Sequence, residues 1–430
     1  MPPNIVLIVA DDLGYGDLGG LYGGRAETPH LNRLAAEGLA FTDFHSNGAM
    51  CSPTRAAILT GRYQQRMGIE EVLGEGDRGL GGEAARGEIT LAHYLREAGY
   101  ATGMTGKWHL GYAPEDGPIH FGFDEFYGHL HGAVDYHSHV DTYGRLDWWH
   151  NAERVREEGY VTSLITDHAI RFMERRRNEP FFLYLPHLAI HFPWQIPEDG
   201  PQREEGKRYR EVSGPLSRLG PHPPEESGPV VRRMIEELDV NVGRVMAALR
   251  ALELDRNTLV LFVSDNGGIV EYRGGYTEIS SNGPLRGAKG QVYEGGHRVP
   301  AVAWWPGRIA PGAVTDATAM TMDLLPTCLE LAGVKPADGP NALDGISLAP
   351  LLFRGEALPE RTLYWRTSRE GAAAVRDGEW KLVRPEPGSA PELYHLAEDI
   401  GESIDLADDF PDRVNALQPA LLAWEVEITS

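Results

Sequence analysis

Six consecutive apolar residues, Ile5 to Ala10, run without a polar break into Asp11-Asp12-Leu-Gly-Tyr-Gly. A run with no alternation has no face to offer water, so it reads as a strand buried on both sides, as in parallel sheets covered by helices. The layout recurs twice. Thr258 to Val263 runs into Ser264-Asp265-Asn266-Gly267, and Phe181 to Leu185 runs into a stretch holding His187 and His191. Between these runs lie helix-like segments, Leu31 to Gly38, Leu91 to Ala98, Thr162 to Arg175 and Val230 to Leu252. That alternation predicts an α/β fold. Open α/β sheets bind ligands beyond the carboxyl ends of their strands. Here those ends carry carboxylates, an amide and histidines, which predicts one shared site.

Beyond Pro326 the character changes. Short strand-like pieces, Thr362 to Trp365, Ala373 to Arg376, Trp380 to Val383 and Glu392 to Tyr394, are separated by Gly, Pro and Asp turns and read as a small antiparallel C-terminal domain. Pro- and Gly-rich residues over 335–350 divide the chain into a larger unit, 1–345, and a smaller α+β unit, 346–430, while 195–229 reads as a polar excursion over the main sheet. Acidic residues outnumber basic ones by 63 to 40, a formal charge of −23, which repels nucleic acid and anionic membranes. An anionic ligand is admissible only if its site is locally positive. With only Cys51 and Cys328 there is no disulfide framework. The start, Met-Pro-Pro-Asn, has no basic region, and Ile5 to Ala10 is too short for a signal core or a membrane span. The chain as written is therefore expected in the cytoplasm, or in the periplasm or medium if an N-terminal signal has been trimmed from it.

The chemistry-bearing segments are five. In Cys51-Ser52-Pro53-Thr54-Arg55, followed by Leu59-Thr60-Gly61-Arg62, Ser52 can cap a helix, Pro53 suits its first position and Gly61 can end it. Cys51 then stands at a helix N-terminus, where unpaired N–H groups favour an anion and Arg55 can lean towards the same spot. By itself this is equally a buried structural cysteine. Asp11, Asp12, Asp265 and Asn266, at two strand ends, are hard oxygen donors that suit Ca²⁺ or Mg²⁺ rather than zinc, and the count of carboxylate oxygens favours Ca²⁺. In Thr105-Gly106-Lys107-Trp108-His109-Leu110-Gly111 the lysine and histidine, two apart on a strand-like segment, point to one side. The segment His187 to Pro197 offers two histidines, and Pro284 to Pro300 is a glycine-rich stretch with Arg286, Lys289 and Arg298, compatible with a backbone approaching an oxyanion.

Cys-Ser-Pro-Thr-Arg with Leu-Thr-Gly-Arg resembles the signature of the type I sulfatases of the alkaline phosphatase superfamily, and the other segments follow in that family's order over nearly the whole chain. The resemblance implies an alkaline-phosphatase-like large mixed β-sheet flanked by helices. It implies that a formylglycine-generating enzyme, met transiently, reads the cysteine, proline and arginine and oxidises Cys51 to an aldehyde, formylglycine (3-oxoalanine). It assigns Asp11, Asp12, Asp265 and Asn266 to calcium, with an oxygen of modified Cys51 completing the sphere. The Gly-Lys-Trp-His-Leu-Gly block implies that Lys107 binds sulfate and that His109 hydrogen-bonds to the formylglycine. The family's His-x-Pro selects His191 over His187, and its Leu-Arg-Gly-x-Lys-Gly pattern makes Lys289 a second sulfate-binding lysine. Asn266 departs from the two-zinc phosphatases, which place histidine there, so one metal is expected.

The implied function is hydrolysis of a sulfate monoester through a formylglycine sulfo-enzyme intermediate. Arg55 and the metal stabilise the nucleophile, His191 protonates the leaving oxygen and His109 assists release. Two alternatives are carried with it: a phosphonate or phosphate monoester hydrolase of the same superfamily, and a non-catalytic binder of sulfated glycans. The nearest resemblance is to arylsulfatase-like and carbohydrate sulfatases, which makes a sulfated saccharide the expected substrate and an aryl sulfate the assay substrate. An aromatic, imidazole-rich stretch, His131 to His139 through Trp148-Trp149-His150, is the candidate rim.

Overall fold

The computed structural model describes residues 2–209, 219–368 and 371–428. Its centre is a ten-stranded mixed sheet. Five strands in the middle run parallel, in the spatial order Thr258–Ser264, Asn4–Ala10, Phe181–Pro186, Ala101–Lys107 and Glu125–His129. Ala301–Trp304 pairs antiparallel with Thr258–Ser264 and with Leu39–Phe41, Ala313–Thr315 lies parallel at that edge, and the short strands Trp149–His150 and Glu153–Arg154 close the other. Every residue of Asn4–Ala10 is buried, as its unbroken apolar run requires.

Strand alternation divides that burial between two layers. Val6 and Ile8 point into a core built with the helices Pro29–Glu37, Val161–Arg176 and Ser227–Ala251. Ile5, Leu7 and Val9 point the other way, into a core built with Cys51–Thr60, Leu91–Glu97, Leu324–Ala332 and Ala349–Arg354. The result is the helix–sheet–helix sandwich that the sequence pattern predicts. The helix Ala349–Arg354 lies beyond residue 345, yet it packs Leu352 into the core of the larger unit.

The C-terminal strands Thr362–Arg366, Ala373–Asp377, Trp380–Arg384 and Glu392–His395 form a four-stranded antiparallel sheet in sequence order, backed by the helix Pro411–Glu427. Its inner face meets the larger unit through buried charge. Lys381 Nζ lies 2.8 Å from both Glu294 and Glu402, Arg376 donates to Asp43 at 2.7 and 2.8 Å, and Trp365 donates to the Ser46 carbonyl at 3.0 Å. His45 and His297 stand in the same cluster, with Arg376 Nη1 3.0 Å from His45 Nε2 and Lys381 Nζ 3.2 Å from His297 Nε2. Ser46 is five residues before Cys51, so this sheet buttresses the approach to the central strand ends. Residues 187–209 carry neither helix nor strand, while part of the predicted excursion, 210–218, lies outside the described residues.

Candidate active site

The parallel strands deliver their carboxyl ends to one edge. Ala10 and Ser264 are register partners, which sets Asp11 and Asp12 beside Asp265 and Asn266. The Asp12 N–H reaches Asp265 Oδ1 at 3.3 Å, and Asn266 Nδ2 donates to Asp12 Oδ1 at 2.8 Å. Asp12 holds φ at 63°, a left-handed conformation unusual for a residue with a side chain, and so does His109 at 56°. Such conformations persist where surrounding structure overrides local preference, as at functional sites.

Cys51 opens the helix Cys51–Thr60, all of whose residues are buried, and Gly61 ends it in the left-handed conformation. Ser52 is not the cap that its position predicts. The helix begins two residues earlier, with Met50 in the capping position, and Ser52 Oγ instead accepts the Leu73 N–H at 3.2 Å. Ser52 thereby ties the helix to a loop of the cavity wall. Arg55, one turn on, is fully buried. It donates through Nε and Nη2 to Asp265 Oδ2 at 2.9 and 2.7 Å and through Nη1 to the Lys107 carbonyl at 2.9 Å, and lies 3.6 Å from Asp11. The guanidinium is therefore the counter-charge beneath the acidic strand ends.

Lys107 and His109 meet Cys51 by a route other than strand alternation. Lys107 is the last residue of its strand, and its Nζ lies 2.5 Å from Asp11 Oδ2. His109 lies beyond the strand, and its positive φ turns the imidazole back so that Nδ1 sits 3.2 Å from Cys51 Sγ. Nε2 faces the Leu73 carbonyl at 3.3 Å. A carbonyl only accepts, so Nε2 carries the proton and Nδ1 faces the thiol as an acceptor. Lys289 reaches Asp12 Oδ1 at 2.5 Å, and His191 Nε2 stands 3.8 Å from Asp12 Oδ2 while its Nδ1 donates to the Phe192 carbonyl at 2.7 Å. Burial, reinforced by Lys107, holds both His109 and His191 well below the ordinary imidazole range, with Lys289 adding to the effect on His191. Burial pushes the Cys51 thiol up, and the two lysines only partly offset it. Burial opposes the charge on Lys289, but Asp12 and its neighbours outweigh it and raise the ammonium. His187 is buried away from this group, both ring nitrogens lack a partner among the described residues, and burial takes it down to about 3.

Whether this edge suits a metal is decided by its oxygens. Asp11 Oδ1, Asp12 Oδ2 and Asn266 Oδ1 are buried acceptors with no hydrogen-bond partner among the described residues. Asp11, Asp12 and His191 also bring ligand atoms within 4.8 Å of one another. Buried polar atoms are nearly always satisfied, so three orphaned oxygens on two adjoining strand ends fit a hard divalent cation.

The group opens into a cavity of about 800 Å³ that Cys51, His109, His191 and Lys289 line, with Lys107 and Arg55 buried beneath. Much of the rest of the wall is aromatic: Tyr112, Tyr143, Phe192, Tyr209 and Tyr272. These residues carry no motif, and no periodicity picks them out of their loops. Only part of the predicted rim takes part. His131 lines the cavity, its ring 4.7 Å from that of Tyr112 and 5.2 Å from that of Tyr143, whereas Tyr136, His139, Trp148 and Trp149 are buried in the core. Hydrophobic demand explains Tyr136, Trp148 and Trp149, and His139 is held between the Gly159 carbonyl, 3.0 Å from its Nε2, and the Trp148 ring.

Comparison with known proteins agrees with the fold. The sulfatase family matches residues 3–334, and the C-terminal region of N-sulphoglucosamine sulphohydrolase matches 288–421. Mouse N-acetylgalactosamine-6-sulfatase is 35% identical, over 96% of this chain and 84% of that protein. Human arylsulfatase A is 36% identical, over 94% and 83%. The crystal structure of Ps i-CgsB in complex with k-i-k-neocarrahexaose superimposes with a TM-score of 0.84 at 30% identity, covering 99% of this chain and 93% of that one. The chain belongs to the sulfatase family of the alkaline phosphatase superfamily. It is a sulfatase, a hydrolase of sulfate esters. Among the described residues no helix is long and apolar enough to cross a membrane.

Proposed function

We propose that this sulfatase cleaves a sulfate monoester of a saccharide, with Cys51 converted to formylglycine as its nucleophile and one divalent cation, Ca²⁺ in preference to Mg²⁺, beside it. One juxtaposition carries the reading: a cysteine thiol 3.2 Å from an imidazole, at the floor of an open cavity, next to three orphaned hard oxygens and two lysines. A merely structural cysteine has no need of that company.

Asp11, Asp12, Asp265 and Asn266, with an oxygen of modified Cys51, would hold the cation, which would supply Lewis-acid stabilisation of negative charge there. The hydrated aldehyde supplies one hydroxyl to attack sulfur and a second to release the sulfate, so that no water molecule attacks sulfur. The protein's own groups do the rest. Arg55 holds the Asp265 carboxylate in place through two hydrogen bonds, and its positive charge favours an anionic oxygen at residue 51. Lys107 and Lys289, which lie on Asp11 and Asp12, are placed to take up the sulfuryl oxygens. His191 donates a proton to the departing ester oxygen from Nε2, the negative charge of the substrate opposing the burial and the lysine charges that lower the imidazole. His109 Nδ1 accepts the proton of the hydroxyl that expels sulfate.

The aromatic wall suits stacking on a sugar face or an aryl ring. The mouse relative's name specifies N-acetylgalactosamine 6-sulfate, and Ps i-CgsB was crystallised with an oligosaccharide, so a sulfated sugar is the reading favoured for this chain too. The test compares matched 4-nitrophenyl sulfate and phosphate on protein co-expressed with a formylglycine-generating enzyme. The reading expects turnover of the sulfate that Cys51→Ala abolishes. Preference for the phosphate, or undiminished turnover by Cys51→Ala, refutes it.

A further inference from the structure

The catalytic cavity has a neighbour across Lys289. A second trough, of about 700 Å³, shares Glu271, Ala288 and Lys289 with it, so Lys289 stands at the junction of two depressions and not at the end of one. Each is of the size that accommodates a ligand larger than one sugar ring, in the range of roughly 300–1,000 Å³. The second trough is walled by the loop after the strand Asn4–Ala10, by the start of the helix Ser227–Ala251 and by residues 278–291.

Two arginines line it, Arg25 from that loop and Arg232 from that helix, and both are exposed. Among the described residues neither has a carboxylate within ion-pair distance, although acidic residues outnumber basic ones by 63 to 40. Arg233, next along the helix, shows the contrast: it is committed to Glu198 at 3.0 Å and Glu237 at 3.2 Å. The trough has its own carboxylates. Asp17 is buried, with its oxygens taken up by the Gly14 and Ser281 N–H groups and the Ser280 hydroxyl, and burial lifts it to about 7, which weakens its opposition to an anion. Glu271 and Glu278 are exposed and are free to accept sugar hydroxyls. A guanidinium fork is matched to sulfate and carboxylate oxygens.

We propose that this trough is a second anion-binding subsite, in which Arg25 and Arg232 hold a sulfate or carboxylate on a neighbouring unit of the saccharide whose scissile sulfate lies at Lys289. The enzyme then acts on internal units of a multiply anionic oligosaccharide, with chain extending to both sides of the reacting group. The inference rests on the proposed placement of the scissile sulfate and adds the class of chain that carries it.

The test is competition against 4-nitrophenyl sulfate hydrolysis by chondroitin 6-sulfate oligosaccharides of defined length. The wild type should bind the hexasaccharide about tenfold more tightly than the disaccharide, the weight of two charge-assisted contacts in an open groove. In Arg25→Gln/Arg232→Gln that advantage should fall below about threefold, while Arg233→Gln keeps it. Unsulfated chondroitin hexasaccharide separates the two sources of charge: retained advantage assigns the subsite to carboxylate, and lost advantage assigns it to sulfate. No length advantage in the wild type, or an undiminished one in the double variant, overturns the proposal. If 4-nitrophenyl sulfate is not turned over at all, the functional reading fails first. Calorimetric titration of the hexasaccharide into the same proteins then judges the subsite separately by the same comparison.

Discussion

Replacing Arg55 tests the charge balance of the site without any turnover. The side chain is fully buried, and two of its N–H groups converge on one Asp265 oxygen at 2.9 and 2.7 Å. Hydrogen bonds to charged groups contribute about 1.5–3 kcal/mol each, and stripping one partner from a buried pair costs about 3–5 kcal/mol because the other charge is left uncompensated. Unfolding entropy near 2.1 cal/mol/K per residue gives about 0.9 kcal/mol/K for a chain of 430 residues. Arg55→Ala should therefore lower the thermal midpoint by about 3–6 °C, and Arg55→Lys, which keeps the charge but not the two-pronged contact, by about half of that. The assay is differential scanning calorimetry in chelator-containing buffer on protein with unconverted Cys51, so that neither metal loading nor aldehyde formation enters the reading. Arg33→Ala, which breaks an exposed pair with Glu37, is the control and should move the midpoint by under about one degree. An Arg55→Ala midpoint within a degree of wild type would refute the reasoning, because it would mean that the buried Arg55–Asp265 contact adds little to stability.

Three further outcomes follow from the same geometry. His191→Ala should lower kcat/KM on a sugar sulfate by about 100-fold or more but affect 4-nitrophenyl sulfate far less, since a good leaving group needs no proton; equal losses on both would remove His191 from that role. Chelation should abolish turnover, and Ca²⁺ at about 100 times its Kd should restore it and add about 2.7 kcal/mol of stability, readable as a rise in midpoint; full activity in verified metal-free protein would contradict the cation. His187, which burial takes from the ordinary imidazole value of 6.5 down to about 3, gives stability present above pH 6.5 and lost as pH falls towards 3. Between pH 6.5 and 5 the wild type should lose about 2 kcal/mol that His187→Leu does not, and parallel pH profiles of the two proteins would show that the ring is not forced neutral.

The sheet was legible because its central strands are buried on both faces, and an unbroken run such as Ile5 to Ala10 admits few other states. The convergence of Asp11, Asp12, Asp265 and Asn266 was legible for the same reason: parallel strands put their carboxyl ends on one edge. Detail that depends on dihedrals was not. Alternation predicted that Lys107 and His109 point to one side, but His109 reaches Cys51 through a positive φ, which no apolar pattern encodes, while Lys107 lies on Asp11. Ser52 reads as a cap, yet a loop residue, Leu73, claims its hydroxyl. The aromatic wall was missed because Tyr112, Tyr143, Tyr209 and Tyr272 come from loops distant in sequence, where composition cannot separate a ring that faces a cavity from one that packs a core. Trp148 and Trp149 show the reverse error, bulky residues that suggest a rim and instead fill the interior.

Peptide mass spectrometry across residue 51, on protein co-expressed with a formylglycine-generating enzyme and paired with an aldehyde-specific probe, addresses the nucleophile itself. The account predicts an aldehyde at Cys51, with sulfate-ester turnover proportional to the fraction converted. An unmodified thiol, in cells that convert a control sulfatase, or turnover independent of the converted fraction, would contradict it.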